Sequence, residues 1–330
     1  MIFSLCKRLA FLLEAVCLTP AVLGAADDQS EKPRIRTFQF TYAATITGMK
    51  PGQKARVWLP VPPSNDDQEI KIVMKDLPAE GAIYTERAYN NRILHLETKA
   101  NEKGEILLRM VYRVKRRELK RDRLAPKRDE DAEELARLLK PNKRVPITGK
   151  PLELIEGKKV PADEMEAARL FYNAINSHMR YSKEGTGWGN GDSVWACTNG
   201  RGNCSDFHSL FLSLARWRRI PAKFEIGFGL PAQRGSSDIA GYHCWAKFHL
   251  RSGTWVPVDI SEANKDPRLR EYCFGNLSED RVVFSTGRDL NLIPRQAGPP
   301  LNFFVYPYVE VDGKEYPPAK VPCRFSFRDE

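Results

Sequence analysis

The chemistry of this chain is first visible at Cys204, in the string GRGNCSDFHSLFLSLARW. Behind the thiol, Phe207, Leu210, Phe211, Leu214 and Trp217 recur at helical spacing, the mark of a buried helix face. Gly200, Gly202 and Asn203 precede it as loop formers, so the sulfur is expected at a helix N-terminus. The dipole and unpaired N–H groups there favour a negative charge and hence the thiolate. An ordinary thiol, with a pKa of about 8.5, is only a few per cent ionised at neutral pH, so a nucleophile needs such help. The bland alternative is a buried, inert cysteine.

Two later segments bear on that choice. In GYHCWAKFHL, Tyr242, Cys244, Ala246, Phe248 and Leu250 alternate with His243, Trp245, Lys247 and His249. After Ser252-Gly253, TWVPVDI places Thr254, Val256, Val258 and Ile260 on one face and Trp255, Pro257 and Asp259 on the other. Two short alternating runs around a Ser-Gly turn predict a β-hairpin. Its apolar faces coincide only with an odd-length loop or one bulge, because a one-residue slip inverts every side chain. In that register His243 and Asp259 emerge on one face as cross-strand or diagonal neighbours. An imidazole oriented by a carboxylate and facing a helix-capping thiol is the arrangement that activates a cysteine.

These residues resemble the transglutaminase-like superfamily of papain-type thiol enzymes. The resemblance rests on the GNC helix start, the YHCW strand, the WVPVD strand, and the stretch RWRRIPAKFEI leading into the strand before the histidine. It covers about 160 to 290. Arg219 stands where the family usually has glycine. The resemblance implies Cys204 as nucleophile, His243 as general base and acid, and Asp259 as the orienting carboxylate. It also implies a papain-like α+β core, in which the nucleophile's helix packs on an antiparallel sheet.

The same region admits other assignments. His208 lies one turn beyond Cys204 on the same helix, and its ring would have to fold back past the helix start to act as the base. Asp206 reads as first-turn charge complementing the dipole. A zinc site from Cys197, Cys204, His243 and Cys244 lacks any common structural spacing. Tyr181, Trp188 and Trp195 are candidate side-chain donors to an oxyanion, alongside the Cys204 N–H. No acidic calcium-type loop occurs, so neither a metal nor a cofactor is expected.

The elements that would position these groups fall into three stretches. Residues 34–116 alternate in several short runs, clearest at Phe38–Ile46, Ala55–Val61 and Ile106–Val114, and predict an N-terminal β-sandwich domain. Residues 117–160 read as a charged linker with a short helix after DEDAEE. Across its start, RVKRRELKRDRLAPKR (113–128) carries nine basic residues and two acids. Residues 161–330 are expected to form the transglutaminase-like domain. It would open with a helix near 162–180 striped by Met165, Ala168, Phe171, Ile175 and Met179. The loop GTGWGNGDSVWAC would wall a groove, and a C-terminal β extension would include a hairpin at Asp312-Gly313.

Composition bounds the setting. With 330 residues, 42% apolar and 28% charged, the chain reads as about two globular domains. Lys7 and Arg8 before LAFLLEAVCLTPAVLGAA, with small residues at Gly24–Ala26, predict a signal peptide over 1–26 and export to the periplasm or exterior. Its removal, with Lys7, Arg8 and Glu14, lowers the net charge from +10 to +9 and leaves no stable membrane insertion. That excess favours acidic envelope polymers, and no recognisable nucleic-acid module accompanies it. Five cysteines then remain, an odd count that fits one free thiol plus up to two disulfides, or five reduced thiols. Cys244, facing away from His243, is expected in core packing or a bridge. The expected function is acyl transfer or hydrolysis at amide bonds of a protein or peptide through a thioester. The alternatives are a cysteine peptidase or amidase of envelope substrates, and a non-catalytic binding protein that keeps the fold.

Overall fold

The computed structural model describes residues 32–126 and 131–330. The expected signal peptide therefore lies outside the described residues. From Pro33 to Glu330 the chain is one compact unit.

Alternating residues build the first six strands: β1 (Ile35–Ile46), β2 (Lys54–Val61), β3 (Gln68–Asp76), β4 (Ala82–Thr85), β5 (Arg92–Lys99) and β6 (Ile106–Arg117). In β1 every second residue from Arg36 to Ile46 is buried, and β6 repeats the pattern from Ile106 to Arg116. The two strands pair antiparallel along their whole length, Ile35 against Arg117 and Ile46 against Ile106. After a short helix α1 (Ala132–Arg137), capped by Asp131, the chain enters α2 (Glu164–His178), capped by Asp163. Ala167, Ala168, Phe171, Tyr172 and Ile175 form the buried stripe of α2. The segment between α1 and α2 is anchored rather than loose, with Leu138, Val145 and Ile155 buried.

A small parallel pair, β7 (Arg180–Tyr181) and β8 (Arg201–Gly202), flanks α3 (Ser193–Asn199). Helix α4 (Cys204–Trp217) follows at once. Then come β9 (Ala222–Gly229), β10 (Ser236–Ile239), β11 (His243–His249), β12 (Trp255–Val258), α5 (Ile260–Lys265) and β13 (Arg281–Thr286). The sheet β12-β11-β9-β13 is antiparallel throughout. Helix α4 packs on one face, with the Phe211 and Phe248 rings 5.8 Å apart. Phe207, Leu210, Phe211, Leu212 and Leu214 are wholly buried. At about 2 kcal/mol each, they anchor the helix by at most on the order of 10 kcal/mol. That offsets the cost of holding polar Asp206 and His208 inside.

The last strands, β14 (Tyr308–Val311), β15 (Lys314–Glu315) and β16 (Cys323–Asp329), do not extend this sheet. They complete the sandwich instead, whose two sheets run β10-β16-β1-β6-β3 and β15-β14-β2-β5-β4. The sandwich thus draws strands from both ends of the chain, and β16 covers an edge of β1 that would otherwise expose unpaired backbone. Asp312 and Gly313, both at positive φ, make the tight turn between β14 and β15. Phe228 of β9 meets Phe40 and Phe325 of the sandwich at 5.0 and 4.3 Å, so sheet and sandwich share one core.

Candidate active site

The start of α4 is fixed by a dense set of hydrogen bonds. Asn203 caps the helix, its side chain accepting the Ser205 N–H at 2.9 Å. Asp206 answers by accepting the Asn203 N–H at 2.9 Å, which closes a capping box. The same carboxylate also takes the N–H groups of Gly189 (2.7 Å) and Gly191 (2.9 Å). Asp206 is therefore more than a dipole complement, since it ties the glycine-rich loop to the helix start. Burial pushes its pKa up to about 6 despite those donors. Gly202 must be glycine: its φ is +152°, and a Cβ there would lie 2.4 Å from Asp206 Oδ2. These contacts leave Cys204 as the first helical residue, where the N–H has no intrahelical acceptor and is available to an oxyanion.

The hairpin β11–β12 supplies the other two groups. Ala246 pairs with Val258 and Phe248 with Val256 across a five-residue loop of odd length, Leu250 to Thr254. Continued by one step, this register sets Asp259 opposite Trp245, diagonal to His243 and on the same face. His243 Nε2 lies 2.7 Å from Asp259 Oδ2, and the imidazole is near enough to the Cys204 thiol for each to shift the other's pKa. The three residues singled out in the sequence therefore meet as sulfur, imidazole and carboxylate.

Electrostatics place the proton on the imidazole. Burial opposes ionisation of Cys204, but hydrogen bonds from Cys244 and His243 and the charge of His243 hold its pKa well below the ordinary thiol value. Burial likewise works against a charged His243, yet the Asp259 charge and hydrogen bond, with Cys204 beside it, raise its pKa to about 10. Asp259, wholly buried, is kept well below the usual carboxylate range by His243 and then by Arg281. The outcome is a thiolate–imidazolium pair, the reactive form of a cysteine nucleophile.

The sequence did not single out Arg281, at the start of β13. Its Nη1 donates to Asp259 Oδ2 at 3.1 Å, and its guanidinium lies over the Trp245 ring at 4.9 Å. Ser261 Oγ and the Glu262 N–H each donate to Asp259 Oδ1 at 3.1 Å. His243, Asp259 and Glu262 present ligand atoms close enough to hold a metal ion. The Arg281 guanidinium occupies the place beside Oδ2 with a fixed positive charge, so the donors fit a hydrogen-bonded ion cluster better than a metal centre.

The alternative assignments have definite positions. His208 is buried, with Nδ1 2.8 Å from the Cys204 carbonyl oxygen, and its Nε2 accepts the Ile260 N–H at 3.1 Å. This fixes the proton on Nδ1, and burial lowers its pKa, so it is a neutral strut between α4 and α5. Cys197 donates to the Lys150 carbonyl at 3.3 Å, apart from the other sulfurs of the postulated zinc set. Among the described residues all five cysteines are free thiols. Trp188 Nε1 is spent on the Gly185 carbonyl at 3.0 Å, whereas burial and then the charge of Cys204 raise the Tyr181 pKa. Tyr242, also passed over, bonds through its hydroxyl to Asn203 Nδ2 (2.9 Å) and Ser205 Oγ (3.0 Å). With Phe303 and Tyr306 it forms an aromatic wall next to the helix start.

The comparison with known proteins bears on this geometry directly. Residues 153–260 match the model of the transglutaminase-like superfamily. These residues form a transglutaminase-like domain. The matched span contains Cys204, His243 and Asp259, and it ends one residue beyond the carboxylate. An uncharacterized protein from Haemophilus influenzae is 27% identical over 348 residues, covering 91% of this chain and 94% of that protein. The structure is similar to a crystal structure described as a putative cysteine protease from Cytophaga hutchinsonii, at a TM-score of 0.55 and 15% identity. That alignment covers 90% of this chain and all of the other, so the likeness includes the sandwich. At that identity it speaks for the fold. Among the described residues no helix is long and apolar enough to cross a membrane.

Proposed function

We propose that this chain is an exported thiol enzyme that acts on amide bonds of a protein or peptide through a thioester on Cys204. The observation that carries the reading is the unbroken contact from Asp259 through His243 to the depressed thiol of Cys204, at the start of a helix. The thiolate attacks the amide carbonyl carbon, and the oxyanion takes the Cys204 N–H. The imidazolium of His243 gives its proton to the departing nitrogen as the C–N bond breaks, leaving a thioester. Water or an amine then attacks, returns a proton to His243, and releases the thiolate. Asp259 holds the ring through Nε2, so that Nδ1 faces the sulfur and the reacting atoms.

Transfer and hydrolysis differ only in the second nucleophile. A second reading, cleavage of main-chain amides, is favoured by the description of the Cytophaga hutchinsonii protein as a cysteine protease. The test is to incubate the chain with a glutamine-containing peptide and a labelled primary amine. Incorporated label reports transfer, released ammonia without label reports side-chain hydrolysis, and new peptide N-termini report a peptidase. Cys204→Ala should abolish whichever is seen. The reading fails if activity survives that substitution, or if a panel of peptides gives none of the three products while Cys204 resists iodoacetamide at neutral pH.

A further inference from the structure

Cys244 has a place in the site that its position in the sequence conceals. Strand alternation turns it away from His243, and that side of β11 faces α4. Its Sγ lies 3.8 Å from Ser205 Oγ and 3.7 Å from His208 Nδ1, the nitrogen that is itself 2.8 Å from the Cys204 carbonyl oxygen. The sulfur is thus lodged against the first turn of α4, which begins at Cys204, and the two thiols shift each other's pKa. Both thiols are withdrawn from solvent, Cys244 completely and Cys204 to 2% exposure. Two of the other described cysteines are committed elsewhere, Cys197 to the Lys150 carbonyl and Cys323 to the Val321 carbonyl.

We propose that Cys204 and Cys244 form a reversible disulfide in response to a small hydroperoxide, a modification that removes the nucleophile and shields it from irreversible oxidation. The inference rests on Cys204 being the reactive thiolate. In the first step the Cys204 thiolate attacks the terminal peroxide oxygen. The O–O bond breaks, the departing alkoxide or hydroxide takes a proton, and Cys204 becomes a sulfenic acid. In the second step Cys244 loses its proton and attacks that sulfur, expelling hydroxide, which leaves as water. The net change is two thiols and one hydroperoxide giving one disulfide, one alcohol or water, and one water. The bond requires the two sulfurs to close to about 2.05 Å, and both lie at the first turn of α4. Burial, together with the negative charge on Cys204, raises the Cys244 pKa, so Cys244 does not compete as the first target and acts as the resolving thiol.

The experiment treats the reduced full chain with a slight excess of hydrogen peroxide and reads three things. These are iodoacetamide labelling of Cys204, the intact mass, and peptides under non-reducing conditions. We expect labelling to be lost, the chain to become lighter by two hydrogens, a peptide linking Cys204 to Cys244 to appear, and dithiothreitol to restore labelling. In Cys244→Ala the same dose should drive Cys204 to sulfinic or sulfonic acid, so that dithiothreitol restores at most about a tenth of the wild-type recovery. Wild-type chain that accumulates those acids while Cys244 stays a free thiol overturns the proposal without recourse to the variant. A Cys204 that alkylates readily when reduced but never cross-links overturns the disulfide alone. A Cys204 inert to both reagents takes the nucleophile reading down with it.

Discussion

Arg281 offers the sharpest test of how the site is held together. Its guanidinium reaches Asp259 Oδ2 at 3.1 Å, with the arginine side chain 8% exposed and the aspartate wholly buried. Opposite charges about 4 Å apart attract by about 4 kcal/mol at an effective dielectric constant of about 20. Removing one partner of a buried pair costs about 3–5 kcal/mol, because the other charge is left unpaired. Here His243, Ser261 Oγ and the Glu262 N–H remain to soften the loss. We therefore expect Arg281→Met, whose unbranched stem still covers Trp245, to lose about 3 kcal/mol at pH 7 in urea denaturation. In an Asp259→Asn background there is no carboxylate charge to strand, and the same change should cost less than about 1 kcal/mol. The double-mutant cycle then shows a coupling of about 2 kcal/mol. Equal costs in the two backgrounds would refute the claim that Arg281 stabilises the site through the Asp259 charge.

Four further outcomes follow from the same structure. Iodoacetamide should alkylate wild-type Cys204 at a rate that is flat from neutral pH to about 10, whereas His243→Ala should titrate like an ordinary thiol near 8.5 and react at least about tenfold more slowly at pH 7. Because the folded pKa of His243 is raised, its contribution to stability is complete below the unfolded value of about 6.5 and is lost as pH rises through about 10. The depressed Asp259 contributes above about 3.9 and fades as pH falls, so thermal unfolding should show a plateau from about 3.9 to about 6.5, which His243→Ala lowers while removing the His243-dependent fall on its alkaline side. Gly202→Ala drives a methyl into Asp206, and both melting temperature and Cys204 alkylation at pH 7 should fall, with a stability loss of about 2 kcal/mol or more; an unchanged alkylation rate would separate the capping box from the thiol. Arg219 adopts a left-handed φ of +65° just past α4, where glycine is at ease, so Arg219→Gly should raise stability by up to about 1 kcal/mol in the same denaturation assay.

What the sequence displayed and what it hid follow from the range of the forces involved. The apolar period of α4 and the alternation of β11 and β12 are local, so they locate the helix that Cys204 begins and the parity that puts His243 and Asp259 on one face. Pairing between β1 and β16 joins residues nearly 300 positions apart, such as Phe38 and Asp329, and no local pattern encodes it. Strands with turn signals near the C-terminus therefore read as an extension of the nearest domain. Polar residues on β9 and β11 mislead in the same way. Glu225 and Lys247 alternate as a solvent face would, yet both are buried, with Lys247 3.3 Å from Glu225 and also ion-paired to Asp67 of the sandwich. The sandwich covers that face, and a buried ion pair is stable only when both partners arrive together. Arg281 belongs to this class as well. Its value to the site exists only because β13 pairs with β9, Arg281 opposite Gly229, and that pairing carries a charge to the back of the hairpin. The meeting of Cys204, His243 and Asp259 can be read from residue types and sheet parity, and Asp259 is the carboxylate of that cluster. The groups that hold its carboxylate ionised come from strands whose order the local sequence does not encode.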